Sequence, residues 1–197
     1  MTSKAEKTTE FIIKTVAPIF NKKGYTATSL NDITKATGLT KGAIYGNFEN
    51  KEKLSLYAFD FNSNTILSRL ELYMNKGETP LERLIFFVKF YKNYYDFTSD
   101  FGGCPIINTG ADAKNMHPEL LEKVQESINK IESFISHEIN EAKKIGEIRN
   151  TIYGDVYGKR FFSLIQGAIF MSQTTNDKSY INDCLNVILD TINQRFK

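Results

Sequence analysis

A chain of 197 residues, 41% hydrophobic and 24% charged, can bury a sizeable core in one or two domains and has the make-up of a soluble globular protein. Its longest apolar runs, such as Leu84–Ile85–Phe86–Phe87–Val88, fall far short of the roughly 20 residues that span a bilayer, and the polar N-terminus has no export signal. This predicts a cytoplasmic protein with no membrane partner. The net charge of +2 is unevenly spread: residues 1–55 hold nine lysines against five acids, and the remainder sixteen cations against eighteen acids. A basic head of +4 on a body of −2 points to a polyanion partner at one end.

The spacing predicts helices almost throughout. Ile12, Ile13, Val16, Ile19 and Phe20 recur at helical intervals until Gly24, with Pro18 expected to kink the helix or loosen a turn. Ser29, followed three residues on by Asp32, reads as a capping box opening a short helix over 30–37. Gly38 ends it, Thr40 can cap the next short helix, and Asn50 the long one over 51–75. Residues 76–80, Lys-Gly-Glu-Thr-Pro, form a breaker before a helix predicted over 81–97, apolar on nearly every side and so surrounded by other helices. A loop over 99–103 precedes a helix starting at Cys104–Pro105. Pro118 opens one to about residue 144, with Leu121, Val124, Ile128, Ile131, Ile135 and Ile139 as its stripe. Two apolar helices, about 152–175 and 178–196, complete an all-α chain.

Residues 26–54 carry the chemistry. Two short helices meet at a glycine turn, and Leu30, Ile33, Ala36, Leu39, Ile44 and Phe48 are expected to face inward. The second helix then exposes Thr40, Lys41, Gly42, Ala43 and Tyr45. Such a helix fits the major groove of DNA: its N-terminal amides meet phosphate, and small side chains let the backbone approach base edges. A helix-turn-helix shape alone is as often a packed corner; the ordered polar set over 40–51 favours DNA.

That set resembles the tetracycline-repressor (TetR) family. Asp32–Ile33, Ala36 and Gly38 match its second helix and turn. Thr40–Lys41–Gly42, Tyr45–Gly46–Asn47–Phe48, Lys51–Glu52 and Leu54 match the family's segment beyond that turn. The resemblance implies that Thr28, Tyr45, Asn47 and Lys51 hold backbone phosphates, and that Thr40, Lys41, Gly42 and Ala43 approach bases. Gly46 stands where a bulkier residue is common; inside a helix a glycine costs about 1 kcal/mol relative to alanine.

Beyond residue 55 the resemblance is one of architecture. It implies a head of residues 1–50 and an effector-binding, dimerising body of residues 51–197. Phe86, Phe87, Phe90, Tyr91, Tyr94 and Phe97 fit a helix beside an effector cavity, which the tyrosines suit to an apolar, aromatic or cationic small molecule, although each aromatic taken singly is more often plain core of the protomer. Cys104 joins this set as a helix-start thiol, where a thiolate is stabilised, although a free cysteine is more often buried and inert. A stripe of Ile181, Cys184, Leu185, Ile188, Leu189 and Ile192, with Leu164, Gly167 and Ala168 on the preceding helix, fits a homodimer interface, because a monomer would expose it at the chain's end.

Cys104 and Cys184 with His117 and His137 make no metal-ligand pattern, and no cofactor is implied. The expectation is a dimeric regulator on double-stranded, near-palindromic operator DNA, released by an unknown effector. The rival is an α-helical enzyme or binding protein for an apolar or aromatic molecule; it lacks a convergent nucleophile, base and orienter.

Overall fold

The computed structural model describes residues 3–99 and 101–196, and helix is their only regular structure. Ten α-helices occur in chain order: α1 (Lys4–Lys23), α2 (Leu30–Thr37), α3 (Lys41–Tyr45), α4 (Lys51–Met74), α5 (Pro80–Phe90), α6 (Tyr94–Ser99), α7 (Pro105–Ala113), α8 (Pro118–Lys144), α9 (Gly154–Thr175) and α10 (Ser179–Thr191). A 3₁₀ turn (Tyr91–Asn93) joins α5 to α6, so the single helix expected over 81–97 is two. A π-type turn (Ile192–Phe196) follows α10. Asp100, expected in the loop before α7, lies outside the described residues.

Side chains set most of these ends. Ser3 with Glu6, Ser29 with Asp32 and Thr79 with Glu82 form reciprocal capping boxes, each satisfying two amides that have no partner within the helix. Gly24 and Gly38 stop α1 and α2 at φ of 80° and 69°, a region costly for any residue with a Cβ. Pro18 removes one backbone donor from α1 without ending it, and the Ala17 carbonyl beside it accepts from Asn62 Nδ2 at 2.9 Å.

The described residues fall into two compact units. One lies within Met1–Ile66 and Ser99–Glu126, the other within Leu67–Thr98 and Ser127–Lys197. The first is built on Ile12, Val16, Phe20, Ile33, Ile44, Phe48 and Leu54, with Leu30 and Leu39 partly buried against them. Ala36, expected in this core, is exposed. Thr37, one turn after Ile33, takes the inward place and donates its hydroxyl to the Ile33 carbonyl at 2.8 Å.

In the second unit α9 lies against the α8 backbone. A Cβ on Gly154 would come within 2.7 Å of the Ser136 carbonyl oxygen, and one on Gly158 within 2.7 Å of that of Glu132. No side chain fits there. Phe161, Phe162, Ile165 and Ile169 fill the buried side of α9, and Ile181, Leu185, Ile188 and Ile192 that of α10 and the turn after it. Phe161 and Phe196 stack, and Tyr157 meets both edge-on, in one aromatic cluster. Arg83 Nε donates to Glu138 at 2.8 Å, half-buried between α5 and α8. No helix among the described residues is long and apolar enough to cross a membrane. Nor does any group of three or more His, Cys, Asp or Glu among them suit a metal ion.

Candidate nucleic-acid interface

The α2–turn–α3 segment presents a short helix whose outer face is polar and thin. Thr40 caps α3, its hydroxyl accepting from the Ala43 amide at 3.2 Å. Thr40, Lys41, Gly42 and Tyr45 are exposed and Ala43 is half-buried, while Ile44 beneath them is 1% exposed. The four residues expected at the bases and the phenol expected at phosphate therefore lie together on one short helix and its N-cap, with an apolar underside. Gly46 follows α3 as its C-cap, outside the helix interior, so the full mid-helix penalty does not apply. A Cβ there would meet the Gly42 carbonyl oxygen at 3.2 Å.

The remaining expected phosphate contacts are placed differently. Asn47 is half-buried; its Nδ2 donates to the Ala43 carbonyl at 2.8 Å and its Oδ1 accepts from Thr9 on α1 at 2.9 Å, holding the end of α3. Thr28 is fully buried, with its hydroxyl donated to the Gly24 carbonyl at 2.6 Å, so it shapes the turn from beneath. Lys51 Nζ donates to the Tyr25 and Thr28 carbonyls at 3.0 and 2.9 Å and lies 4.3 Å from the Tyr25 ring centroid. Its charge is thereby fixed at the turn before α2. Burial, then the negative charge of Glu52, raises the Tyr25 phenol above its ordinary range. Asp32, hydrogen-bonded by Lys23 and then by Ser29, is held well below the usual carboxylate range.

Sequence reasoning missed a second set of residues around the same turn. The Asp112 carboxylate accepts from the Tyr25 amide at 2.6 Å, and the His117 ring meets the Tyr25 ring edge-on at 4.0 Å. Asn108 Nδ2 donates to the Asn21 carbonyl at 3.1 Å, and Asn21 Nδ2 donates to the Phe101 and Gly103 carbonyls at 2.7 and 2.9 Å. The α7 segment thus grips the end of α1 and the turn into α2. An isolated Asp or Asn more than 80 residues from its partner carries no periodic signal, so nothing in the pattern could have found these bonds.

The expected effector residues divide. Phe90 and Tyr94 line an open cleft of about 330 Å³ with Arg69, Leu72, Tyr73, Lys76, Asn93 and Phe97. Phe86 lies behind it against Tyr73, at 5.7 Å between ring centroids. Phe87 and Tyr91 are core, at 0% and 1% exposure, and do not line the cleft. Cys104, fully buried at the N-cap of α7, belongs to the first unit. That burial fits the inert reading. Cys184 is half-buried, and burial pushes its thiol up to about 11.

The expected dimer stripe needs correction. Ile181, Leu185, Ile188 and Ile192 are buried within a single chain, and Ala168 nearly so. α10 packs on both α9 and α5, so the periodicity that suggested a partner marks the protomer's own core. The large apolar residues that face outward on the same helices are Val156, Leu164, Phe170 and Met171 on α9 and Tyr180 and Val187 on α10, with nothing within 4 Å of a Cβ built on Gly167.

Comparison with known proteins gives one family. A family model described as "Bacterial regulatory proteins, tetR family" matches residues 12–58, and "Tetracyclin repressor-like, C-terminal domain" matches residues 80–188. The crystal structure of a TetR-family transcriptional regulator from Cytophaga hutchinsonii is 34% identical and superposes with a TM-score of 0.91, over 98% of this chain and 96% of that one. The HTH-type transcriptional regulator YxaF of Bacillus subtilis (strain 168) is 27% identical over 91% of each chain. The HTH-type transcriptional repressor DhaR of Mycobacterium sp. (strain GP1) is 24% identical over 93% of this chain and 91% of its own.

Proposed function

The chain belongs to the TetR family of DNA-binding transcriptional regulators, which are not enzymes, and from that premise we propose that it is a cytoplasmic repressor that holds a near-palindromic operator as a homodimer until a small molecule releases it. The observation that carries this is the exposed face of Thr40, Lys41, Gly42, Ala43 and Tyr45 on a capped helix whose apolar side is anchored. It offers small groups for close approach to base edges and a phenol for phosphate. Lys51 and Asn47 support that face by fixing the turn before α2 and the end of α3; Thr28 acts from beneath.

The division of labour is a reading head of residues 1–50 and a body of residues 51–197. The pairing surface is the outward side of α9 and α10: Leu164, Gly167, Phe170, Met171, Tyr180 and Val187. Exposed large apolar side chains on two consecutive helices favour a protein partner, and a palindromic site requires two heads held at fixed spacing. The effector site is the cleft of Tyr73, Phe90, Tyr94 and Phe97. Arg69, Leu72 and Tyr73 share α4 with Lys51, so the helix that contributes to the cleft begins at the residue that braces the turn before α2.

The test begins with genomic fragments recovered on the immobilised protein and measured by gel shift. Wild type should bind an inverted repeat cooperatively, and Lys41→Ala with Tyr45→Phe should weaken it by at least about tenfold. Recovery of fragments without a shared repeat, or equal binding to random DNA, rejects the operator reading.

A further inference from the structure

The cleft has two walls of matching design. Arg69, Leu72 and Tyr73 share one face of α4, with Lys76 in the turn just beyond it. Phe90, Asn93, Tyr94 and Phe97 repeat the i, i+3, i+4, i+7 spacing across the 3₁₀ turn that joins α5 to α6. Between them lies about 330 Å³, within the range of small-molecule sites. Tyr73 and Phe90 stand 6.1 Å apart between ring centroids, and Phe90 and Tyr94 6.0 Å, leaving an aromatic lining suited to a flat apolar body.

Both charged lining residues are cations. The Arg69 guanidinium lies 3.9 Å from the Phe97 ring centroid, and Lys76 Nζ 4.2 Å from that of Tyr73. Both residues are exposed, and neither enters an ion pair among the described residues. Asp96, on the same helix as Tyr94 and Phe97, pairs with Lys178 at 2.5 Å. The negative faces of two rings therefore already meet internal cations. A cationic ligand would have to displace one of them while facing two like charges. An anion meets the opposite situation, because a guanidinium stacked on a ring still presents its N–H edges in plane for a carboxylate. The tyrosines alone suggested an aromatic or cationic ligand; the two cations reverse that sign.

Resting on the reading that a small molecule releases the DNA, we propose that this cleft selects an amphipathic organic anion, its flat apolar body against the lining of Tyr73, Phe90 and Phe97 and its carboxylate on Arg69, with Lys76 adding charge. Calorimetric titration of the full chain with 2-naphthoate, uncharged 2-naphthamide and a naphthylmethyl trimethylammonium salt tests it. Naphthoate should bind at least about tenfold tighter than the amide, and the ammonium salt most weakly. Arg69→Gln should remove roughly that advantage while leaving naphthamide within about twofold, and Arg69→Lys should recover part of it.

Tighter binding of the ammonium salt overturns the proposal. So does naphthoate binding indifferent to Arg69→Gln, or no naphthoate binding at millimolar concentration. Arg69 is exposed, so both substitutions leave the core intact, and thermal melts check that. Gel shifts on selected genomic fragments run in parallel. Intact operator binding with no anion preference removes this inference alone, whereas a wild type that selects no operator removes the regulator reading.

Discussion

The head and the C-terminal helix pair use helices in opposite ways. Around α3 the helix is five residues long and would not persist alone; the Thr40 cap and Asn47 hold its two ends, Lys51 and Asp112 fix the turn before α2, and its outer face carries Thr40, Lys41, Gly42 and Tyr45. In α9 and α10 the helices are long, their inner faces are filled by Ile and Phe, two glycines admit a backbone, and the free face carries Leu, Phe, Met, Tyr and Val. A polar face held by directional bonds suits a ligand of fixed geometry such as DNA. An apolar face on a stiff support suits a second protein surface, where area matters more than angle.

The largest effect should come from confusing the two sides of α10. Ile188 is fully buried and Val187 is 56% exposed. Ile188→Glu places a carboxylate among apolar side chains and should cost at least about 4 kcal/mol, enough to unfold the chain. Val187→Glu should instead leave the protein folded and, on the proposed pairing surface, convert dimers to folded monomers in analytical ultracentrifugation, with a melting temperature lowered only by the lost association and no longer dependent on concentration. A folded, monomeric Ile188→Glu would show that the inward assignment of this stripe is wrong.

Next in size are the glycines. Gly158→Ala must push α9 away from the Glu132 carbonyl and should lose about 1–3 kcal/mol in urea titration. Gly167→Ala meets open space in one chain and should gain up to about 1 kcal/mol of helix stability. A loss of dimer affinity from Gly167→Ala would further show that a partner approaches there closely.

This contrast explains what could be read from the sequence. The head was legible because its signals are local: Ser29 and Asp32, Gly38, Thr40 and Asn50 act within three or four residues, and they cap or stop α2, α3 and α4 where expected. The body was legible as helices but not as faces. Hydrophobic period reports that Ile181, Leu185 and Ile188 share a side; whether that side meets α9 of the same chain or a second copy is a tertiary fact. Gly154 and Gly158 escaped notice because a close backbone approach leaves no periodic mark, and Gly167, which sits among small residues, drew attention instead. The same limit hid Asp112, Asn108 and His117, whose partners lie over 80 residues away.

Lys51 gives a smaller effect with two readouts. Lys51→Met keeps the stem over Tyr25 but leaves the Tyr25 and Thr28 carbonyls without their charged donor, a loss of about 1.5–3 kcal/mol. Operator affinity should fall with stability, because the turn before α2 loosens. A variant that keeps full stability and loses only salt-dependent DNA binding would make Lys51 a phosphate contact instead of a brace.

Asp32 adds a pH-dependent contribution. Its folded pKa is depressed, so its stabilising effect is complete above the unfolded value near 3.9 and fades as pH falls below that. Asp32→Asn should therefore reduce stability at neutral pH and flatten acid unfolding below about pH 4. Equal acid sensitivity of the two proteins would show that the Lys23 and Ser29 contacts do not persist in solution.

The smallest effect on the protein, and the sharpest on DNA, belongs to Lys41. It is exposed on α3, 5.9 Å from the Tyr45 ring centroid, too far and too solvated for that contact to matter much to folding. Lys41→Ala should leave the melting temperature unchanged. On DNA it should behave in one of two distinguishable ways. A lysine on phosphate contributes to affinity for every sequence, and its loss lowers the salt slope by about one unit per protomer while selected and random fragments weaken together. A lysine on a guanine edge contributes only where that base is present, so selected fragments weaken by about 1–3 kcal/mol and random ones hardly change. The position of Lys41 as the first residue of a capped helix, beside Gly42 and with no bulky exposed neighbour before Tyr45 because Ile44 points inward, favours the base edge. Titration at three salt concentrations on both kinds of fragment separates the cases, and parallel weakening of both would assign Lys41 to the backbone.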